Sequence, residues 1–136
     1  MREFMVQTKK HTQFVRIDSE VQRIVEASGI HEGVCHIHVP HTTAGVTINE
    51  NADPDVVADM AMILDRMVPW TGGYAHEEGN SAAHVKASLM GANQAVLVSG
   101  GRLALGTWQG IYFCEFDGPR TRRVWVQIIR GDGGGE

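Results

Sequence analysis

Basic charge, long apolar runs and paired cysteines are what this 136-residue chain has little of. It carries 12 Lys and Arg against 16 Asp and Glu, a formal net charge of -4. That balance excludes general nucleic-acid binding, which needs a basic face. It leaves room for a small anionic metabolite held by a few local cations. No apolar stretch approaches the ~20 residues that span a bilayer, so no membrane partner is expected. Met1 to Lys10 lacks the apolar segment of a signal peptide, and the expected location is cytoplasmic. The two cysteines, Cys35 and Cys114, sit in apolar strand-like runs and read as free buried thiols of a reducing compartment rather than a disulfide. They form no CxxC, which argues against a cysteine-rich zinc site. There is no internal repeat and no linker. What is there, 43% hydrophobic and 21% charged residues, suits one globular domain over 1–136 with a real core. Residues 131–136 are an expected frayed tail.

Phe4 to Thr8 and Thr12 to Ile17 read as a bent strand pair or one long strand, interrupted at Lys9-Lys10-His11. A helix start follows at Asp18-Ser19, where Ser19 and Gln22 have capping-box spacing, and Gly29 is its predicted stop. A strand from Gly33 to Val39 puts Cys35, Ile37 and Val39 on one face and His36 and His38 on the other. Gly45 to Asn49 is a further short strand. Asp53-Pro54 is a strong helix start, an N-cap acid followed by proline, with an apolar helical period to Met67. A third helix runs from Asn80 to Met90, with Gly91 as its stop. Gln94 to Ser99 reads as a buried strand, Gly100-Gly101-Arg102 as a tight turn, and Leu103–Leu105, Ile111–Phe116 and Thr121–Ile129 as strands. The predicted class is α+β: mostly antiparallel or mixed β-sheets in a sandwich, with about three helices packed on one side.

Four polar clusters interrupt this pattern. His41-Thr42-Thr43 follows a strand end, where a histidine can act as a base, a phosphate donor or a metal ligand, and where the threonines can equally serve the turn itself. Asn49-Glu50-Asn51 crowds the second helix entrance; Glu50 has no capping role and stands as a candidate acid, base or cation ligand. Asn80, His84 and Ser88 fall every fourth residue on one helical face, beside the free amides of a helix N-terminus at Ser81. Last, Trp108-Gln109, Glu115, Asp117 and Arg120 flank the apolar run Ile111–Cys114. They form either a site wall or a salt-bridge network in which Arg120 pairs with Glu115 or Asp117. His36 and His38, at i and i+2, read as an exposed strand face, because no third metal ligand is near them in sequence.

Three of these blocks together resemble the YjbQ family: His41-Thr42-Thr43-Ala44-Gly45 through Asn49-Glu50-Asn51-Ala52-Asp53, the Gly79-Asn80 to Gly91 helix, and Gly101 through Gly106-Thr107-Trp108-Gln109 with Glu115-Phe116-Asp117-Gly118-Pro119-Arg120. The blocks occur in order over nearly the whole chain; Asn93 departs from the serine more usual there. The resemblance implies a single α+β domain that assembles as a homotrimer with polar clefts at or near subunit boundaries. It also implies a weak thiamine-phosphate synthase activity, which joins hydroxymethylpyrimidine diphosphate to thiazole phosphate and releases pyrophosphate.

That chemistry needs donors and positive charge on the leaving group. The expected catalytic residues are His41, Glu50, His84, Gln109 and Glu115. The expected binding residues are Thr42, Thr43, Asn49, Asn80, Ser81, Lys86, Ser88, Trp108 and Arg120, with Trp108 able to stack on a heteroaromatic ring. Mg2+ or another divalent metal is the candidate cofactor: Glu50, Glu115 and Asp117 are the carboxylates for Mg2+, His41 and His84 the nitrogen ligands for a transition metal, with His41, His84 and Asp117 as the expected metal set, and no organic cofactor is expected. His41, Glu50, Asn80, His84 and Gln109 are expected in one cleft. A binding module without turnover and a metal-dependent hydrolase are the other two function classes.

Overall fold

A computed structural model describes residues 1–131. The predicted tail, apart from Gly131, lies outside the described residues. Among the described residues no helix is long and apolar enough to cross a membrane.

The chain orders as β1 (Arg2–Gln7), β2 (Gln13–Arg16), α1 (Asp18–Ser28), β3 (Gly33–His38), β4 (Ala44–Glu50), α2 (Pro54–Met67), α3 (Ser81–Met90), β5 (Asn93–Ser99), β6 (Arg102–Leu103), β7 (Gln109–Glu115) and β8 (Thr121–Arg130). Two antiparallel sheets result: five strands in the order β1-β8-β3-β5-β6 and three in the order β2-β7-β4. The architecture is the predicted α+β class. The break at Lys9-Lys10-His11 does more than bend a strand. It carries the chain from one sheet to the other, so β1 and β2 never pair.

Alternation along the strands builds the core. Val6, Cys35, Ile37, Val96, Val98, Val124 and Val126 from the larger sheet meet Val46, Ile111 and Phe113 from the smaller, and α1 adds Val21 and Val25. The other face of the smaller sheet carries Phe14, Tyr112 and Cys114, covered by Leu64 of α2 and by Ala83 and Ala87 of α3. Gly45 makes that close: a Cβ there would stand 2.7 Å from the Gly91 carbonyl oxygen, which also accepts from Val46 N at 3.0 Å. The far face of the larger sheet stays open. Leu97, Val34 and Ile129 lie side by side across β5, β3 and β8, and Leu97 and Ile129 are exposed. β5 is therefore buried on one face only, where the apolar run suggested burial on both.

Helix ends follow local rules where local groups are free to obey them. Asp53 caps α2, accepting from Asp55 N at 2.9 Å ahead of Pro54. Gly29 closes α1 in the left-handed conformation at φ 70°. The Ser19–Gln22 capping box does not form. Gln22 instead donates to the Gly101 carbonyl and accepts from Leu103 N, and Asp18 accepts from Ile111 N at 2.7 Å.

Candidate functional site

The deepest polar constellation sits where β7 ends and β8 begins. Glu115 and Arg122, both buried, form its base. Glu115 Oε1 accepts from Arg122 Nε at 2.8 Å and from Thr8 Oγ1 at 2.8 Å. Its Oε2 accepts from Arg122 Nη2 and from Asp117 N. Arg122 Nη2 also donates to Thr43 Oγ1 at 2.8 Å. Burial alone would raise the Glu115 pKa, but the hydrogen bonds from Arg122, Asp117 N and Thr8 outweigh it and hold the carboxyl below its ordinary value. Gly118 lets the following turn close over this pair, since a Cβ there would meet the Lys10 carbonyl oxygen at 2.3 Å.

Above this base opens a cleft of about 410 Å³, walled by the His41–Thr43 loop, the start of α3, the His76–Glu78 loop and the Asp117–Arg122 segment. Asp117 Oδ2 accepts from Arg120 Nη2 at 2.9 Å and from Asn80 Nδ2 at 2.9 Å, and Arg120 Nε donates to the Asp117 carbonyl. Asn80 is the residue before α3, yet its Oδ1 accepts no capping hydrogen bond, while its Nδ2 donates to Asp117 and, at 3.4 Å, to Glu78. A second cavity of about 500 Å³ shares His41, Thr42 and His84 with the first and is lined further by Ala44, Ala87 and Ser88. Of the predicted Asn80/His84/Ser88 stripe, Asn80 and His84 line the first cavity and His84 and Ser88 the second. Ser88 Oγ donates to the His84 carbonyl, and Ser81 opens α3 beside the cleft.

His41 is held in one tautomer. Its Nε2 accepts the backbone N–H of Arg123 at 2.9 Å, so the proton of the neutral ring resides on Nδ1. Burial first, then Arg122, lowers its pKa below the ordinary imidazole value, with Glu115 opposing and Arg123 and Arg120 adding. His41 therefore meets a ligand as a neutral N–H donor, and its Nε2 is not free for a metal. Asp117 Oδ2 accepts from Asn80 and Arg120, so a cation ligates it only by displacing them. His41, His84 and Asp117 do not fit a metal as a set, and among the described residues no three His, Cys, Asp or Glu are grouped to hold one.

The expectation of a single cleft divides along β7. His41, Thr42, Thr43, Asn80, His84, Asp117 and Arg120 come together. Glu50 and Gln109 do not: they pair with each other across β4 and β7 at the opposite end of the strand. There Glu50 accepts from Ala52 N, Asn49 from Glu50 N and Gln109 Oε1 from Gly106 N, so all three fasten turns. Trp108 lies in that same turn region, 64% exposed. Lys86 also departs, its ammonium reaching Asp65 of α2 at 2.6 Å. Glu115 adjoins the cleft but is fully buried with both oxygens engaged, which leaves it a positioning residue. Arg122 was missed. Its signal was the alternation Arg122, Val124, Val126, which sets Arg122 on the core face and demands a buried counter-charge.

Fold and site define a class: an α+β sandwich of two antiparallel sheets, with a histidine- and arginine-lined cleft at one end of the smaller. The family model described as UPF0047 protein YjbQ-like matches residues 2–131. The chain belongs to the YjbQ (UPF0047) family. It is 50% identical to UPF0047 protein YugU of Bacillus subtilis over 130 residues, covering 95% of this chain and 98% of that one. It is 45% identical to a UPF0047 protein of Methanocaldococcus jannaschii over 126 residues, covering 93% and 91%. A Clostridium acetobutylicum crystal structure of an uncharacterized family member superposes with TM-score 0.94 at 53% identity, covering 95% of this chain and 100% of that one.

Proposed function

We propose that the cleft binds the anionic group of a small phosphorylated metabolite, and that the chain carries out the thiamine-phosphate synthase reaction that the family resemblance implies. The observation that carries the reading is convergence. Arg120, the neutral His41 donor, His84 and Asn80 all border one cavity, whose volume suits a small ligand. Loss of pyrophosphate from a pyrimidine diphosphate needs donors around the leaving oxygens, and these groups are donors. The test is calorimetric binding of inorganic pyrophosphate, alongside chromatographic detection of thiamine phosphate from the two substrates. Binding that weakens in Arg120→Ala, with product lost in a well-folded His84→Ala, is expected. Wild-type rates in His84→Ala remove that histidine from the reaction.

Binding without turnover is the second reading. It is favoured by one observation: of the proposed acid–base residues, Glu50 and Gln109 lie at the far end of β7 and Glu115 is consumed in its ion pair. Pyrophosphate binding with no product at high protein concentration selects it. The homotrimer implied by the resemblance is proposed alongside; the row of exposed Leu97 and Ile129 flanking half-buried Val34 supplies apolar surface for it, and light scattering at the monomer mass would remove it.

A further inference from the structure

Asn80 is 6% exposed, and its Oδ1 is a buried acceptor without a hydrogen-bond partner. Such an atom is rare, because an unmet buried acceptor keeps the full penalty of its desolvation. Its orientation is dictated by the other half of the amide. Nδ2 stands between two carboxylates, 2.9 Å from Asp117 Oδ2 and 3.4 Å from Glu78 Oε2. Two acid oxygens thus converge on one neutral donor.

Rotation of the amide by half a turn exchanges Oδ1 and Nδ2 with little change of shape. Oδ1 would then join Asp117 and Glu78, giving three oxygens around one point, and the NH2 would vacate the position between the acids. Without a cation that arrangement is repulsive; with one, Oδ1 gains the partner it lacks, while the NH2 gives up its two carboxylates and takes the buried position Oδ1 held, a cost the cation must offset. We infer that Asn80, Asp117 and Glu78 form a divalent-cation site that the Asn80 amide fills when no cation is bound. All three ligands are hard oxygen donors, which selects Mg2+ or Mn2+ over a soft metal. The absence of a His/Cys/Asp/Glu triad does not bear on it, since the third ligand is an amide oxygen. The charged neighbours are Arg120, which bonds Asp117 Oδ2 at 2.9 Å, His11, 3.9 Å from Asp117 Oδ1, and His76, 3.9 Å from Glu78 Oε1. Arg120 is half-exposed, and an ion pair in water is weak enough for a cation to displace. The role of this cation in catalysis rests on the anion reading of the cleft; its binding does not.

The test is a Mn2+ titration of the chelator-treated full chain, read by the electron paramagnetic resonance of free Mn2+ in phosphate-free buffer. One Mn2+ per chain is expected, with half-saturation at or below about 1 mM, the weak end of carboxylate-built sites. Glu78→Gln and Asn80→Ala should each weaken it by about tenfold or more. Arg120→Ala, which frees Asp117, should tighten it, opposite to its effect on pyrophosphate. The Glu78 side chain is 69% exposed, so Glu78→Gln keeps its fold and decides the matter if Asn80→Ala does not fold. No Mn2+ binding by the wild type, or binding indifferent to Glu78→Gln, overturns the inference. Pyrophosphate binding measured in chelator separates the two proposals: binding there without any Mn2+ site leaves the anion reading standing alone, whereas a Mn2+ site without pyrophosphate binding leaves the cation site standing alone.

Discussion

Removing the Arg122 guanidinium while keeping its bulk, as Arg122→Met, isolates what the buried pair contributes. Glu115 is 0% exposed and would keep only two of its donors, Thr8 Oγ1 and Asp117 N. Breaking a buried pair by deleting one partner costs about 3–5 kcal/mol, because the remaining charge is left without compensation. With ~2.1 cal/mol/K of unfolding entropy per residue, a chain of this length moves about 3.5 °C per kcal/mol, so the melting temperature at pH 7 should fall by about 10–17 °C. The pH dependence identifies the cause. In the wild type the Glu115 pKa lies below its unfolded value, so its stabilisation is complete above about pH 4.3 and is lost as pH falls through the folded value. In Arg122→Met only the Thr8 and Asp117 N hydrogen bonds still oppose burial, so that pKa rises from its wild-type position, acidification neutralises the stranded charge and the gap between variant and wild type narrows. Calorimetric melts at pH 7 and pH 5 measure it. A shift at pH 7 of less than about 3 °C, under 1 kcal/mol, refutes the reasoning, as does a gap that stays constant with pH.

Three further outcomes are expected. Long-range proton–nitrogen NMR should show neutral His41 protonated on Nδ1 and titrating below the ordinary imidazole value; because its folded pKa is lowered, stability should decline as pH falls below about 6.5. A ring protonated on Nε2 at neutral pH contradicts the hydrogen bond from Arg123. Gly45→Ala should destabilise by about 1–3 kcal/mol in urea unfolding, since its Cβ would press on the Gly91 backbone, and an unchanged midpoint would show that α3 gives way freely. Glu50→Gln and Gln109→Ala should leave pyrophosphate affinity at the wild-type value, while Gln109→Ala lowers stability by about 1 kcal/mol through its lost bond to Gly106 N; weakened affinity in either variant would return the far end of β7 to the site.

Much of the fold was legible because it rests on local devices. Asp53-Pro54, Gly29 and the Gly100-Gly101 turn each specify a conformation from their own neighbours, and the alternation around Cys35 and Ile37 sets a core face. The Ser19–Gln22 box failed for a tertiary reason: Gln22 is worth more to the Gly101–Leu103 turn, distant in sequence, than to its own helix end. Lys86 failed likewise. Its place two turns into α3, near His84, suggested the cleft, but a helix puts residues two apart on different faces, and Lys86 turns toward α2. The split between β1 and β2 carried no local signal beyond three polar residues.

The polar ends of β7 looked alike in sequence, and what separates them is whether their hydrogen bonds are used up. Six residue steps of antiparallel strand place Gln109 about 20 Å from Glu115, too far for one small-molecule site. At the Gln109 end the groups are spent within the chain: Gln109 Oε1 on Gly106 N, the Asn51 amide on the Thr107 and Gln109 carbonyls, Asp18 on Ile111 N, and the Tyr112 hydroxyl on the Glu50 carbonyl. That is a fastened turn. At the Glu115 end the groups form two layers. The inner one, Thr8, Thr43, Glu115 and Arg122, is closed on itself and buried. It fixes the outer one, because Glu115 accepts from Asp117 N and Thr8 accepts from Arg120 N. The outer layer of Asp117, Asn80 and Arg120 is held in position, with Asn80 Oδ1 left over. A buried group held in place and still lacking a partner is what a binding site offers, and among the described residues only this end of the strand has one.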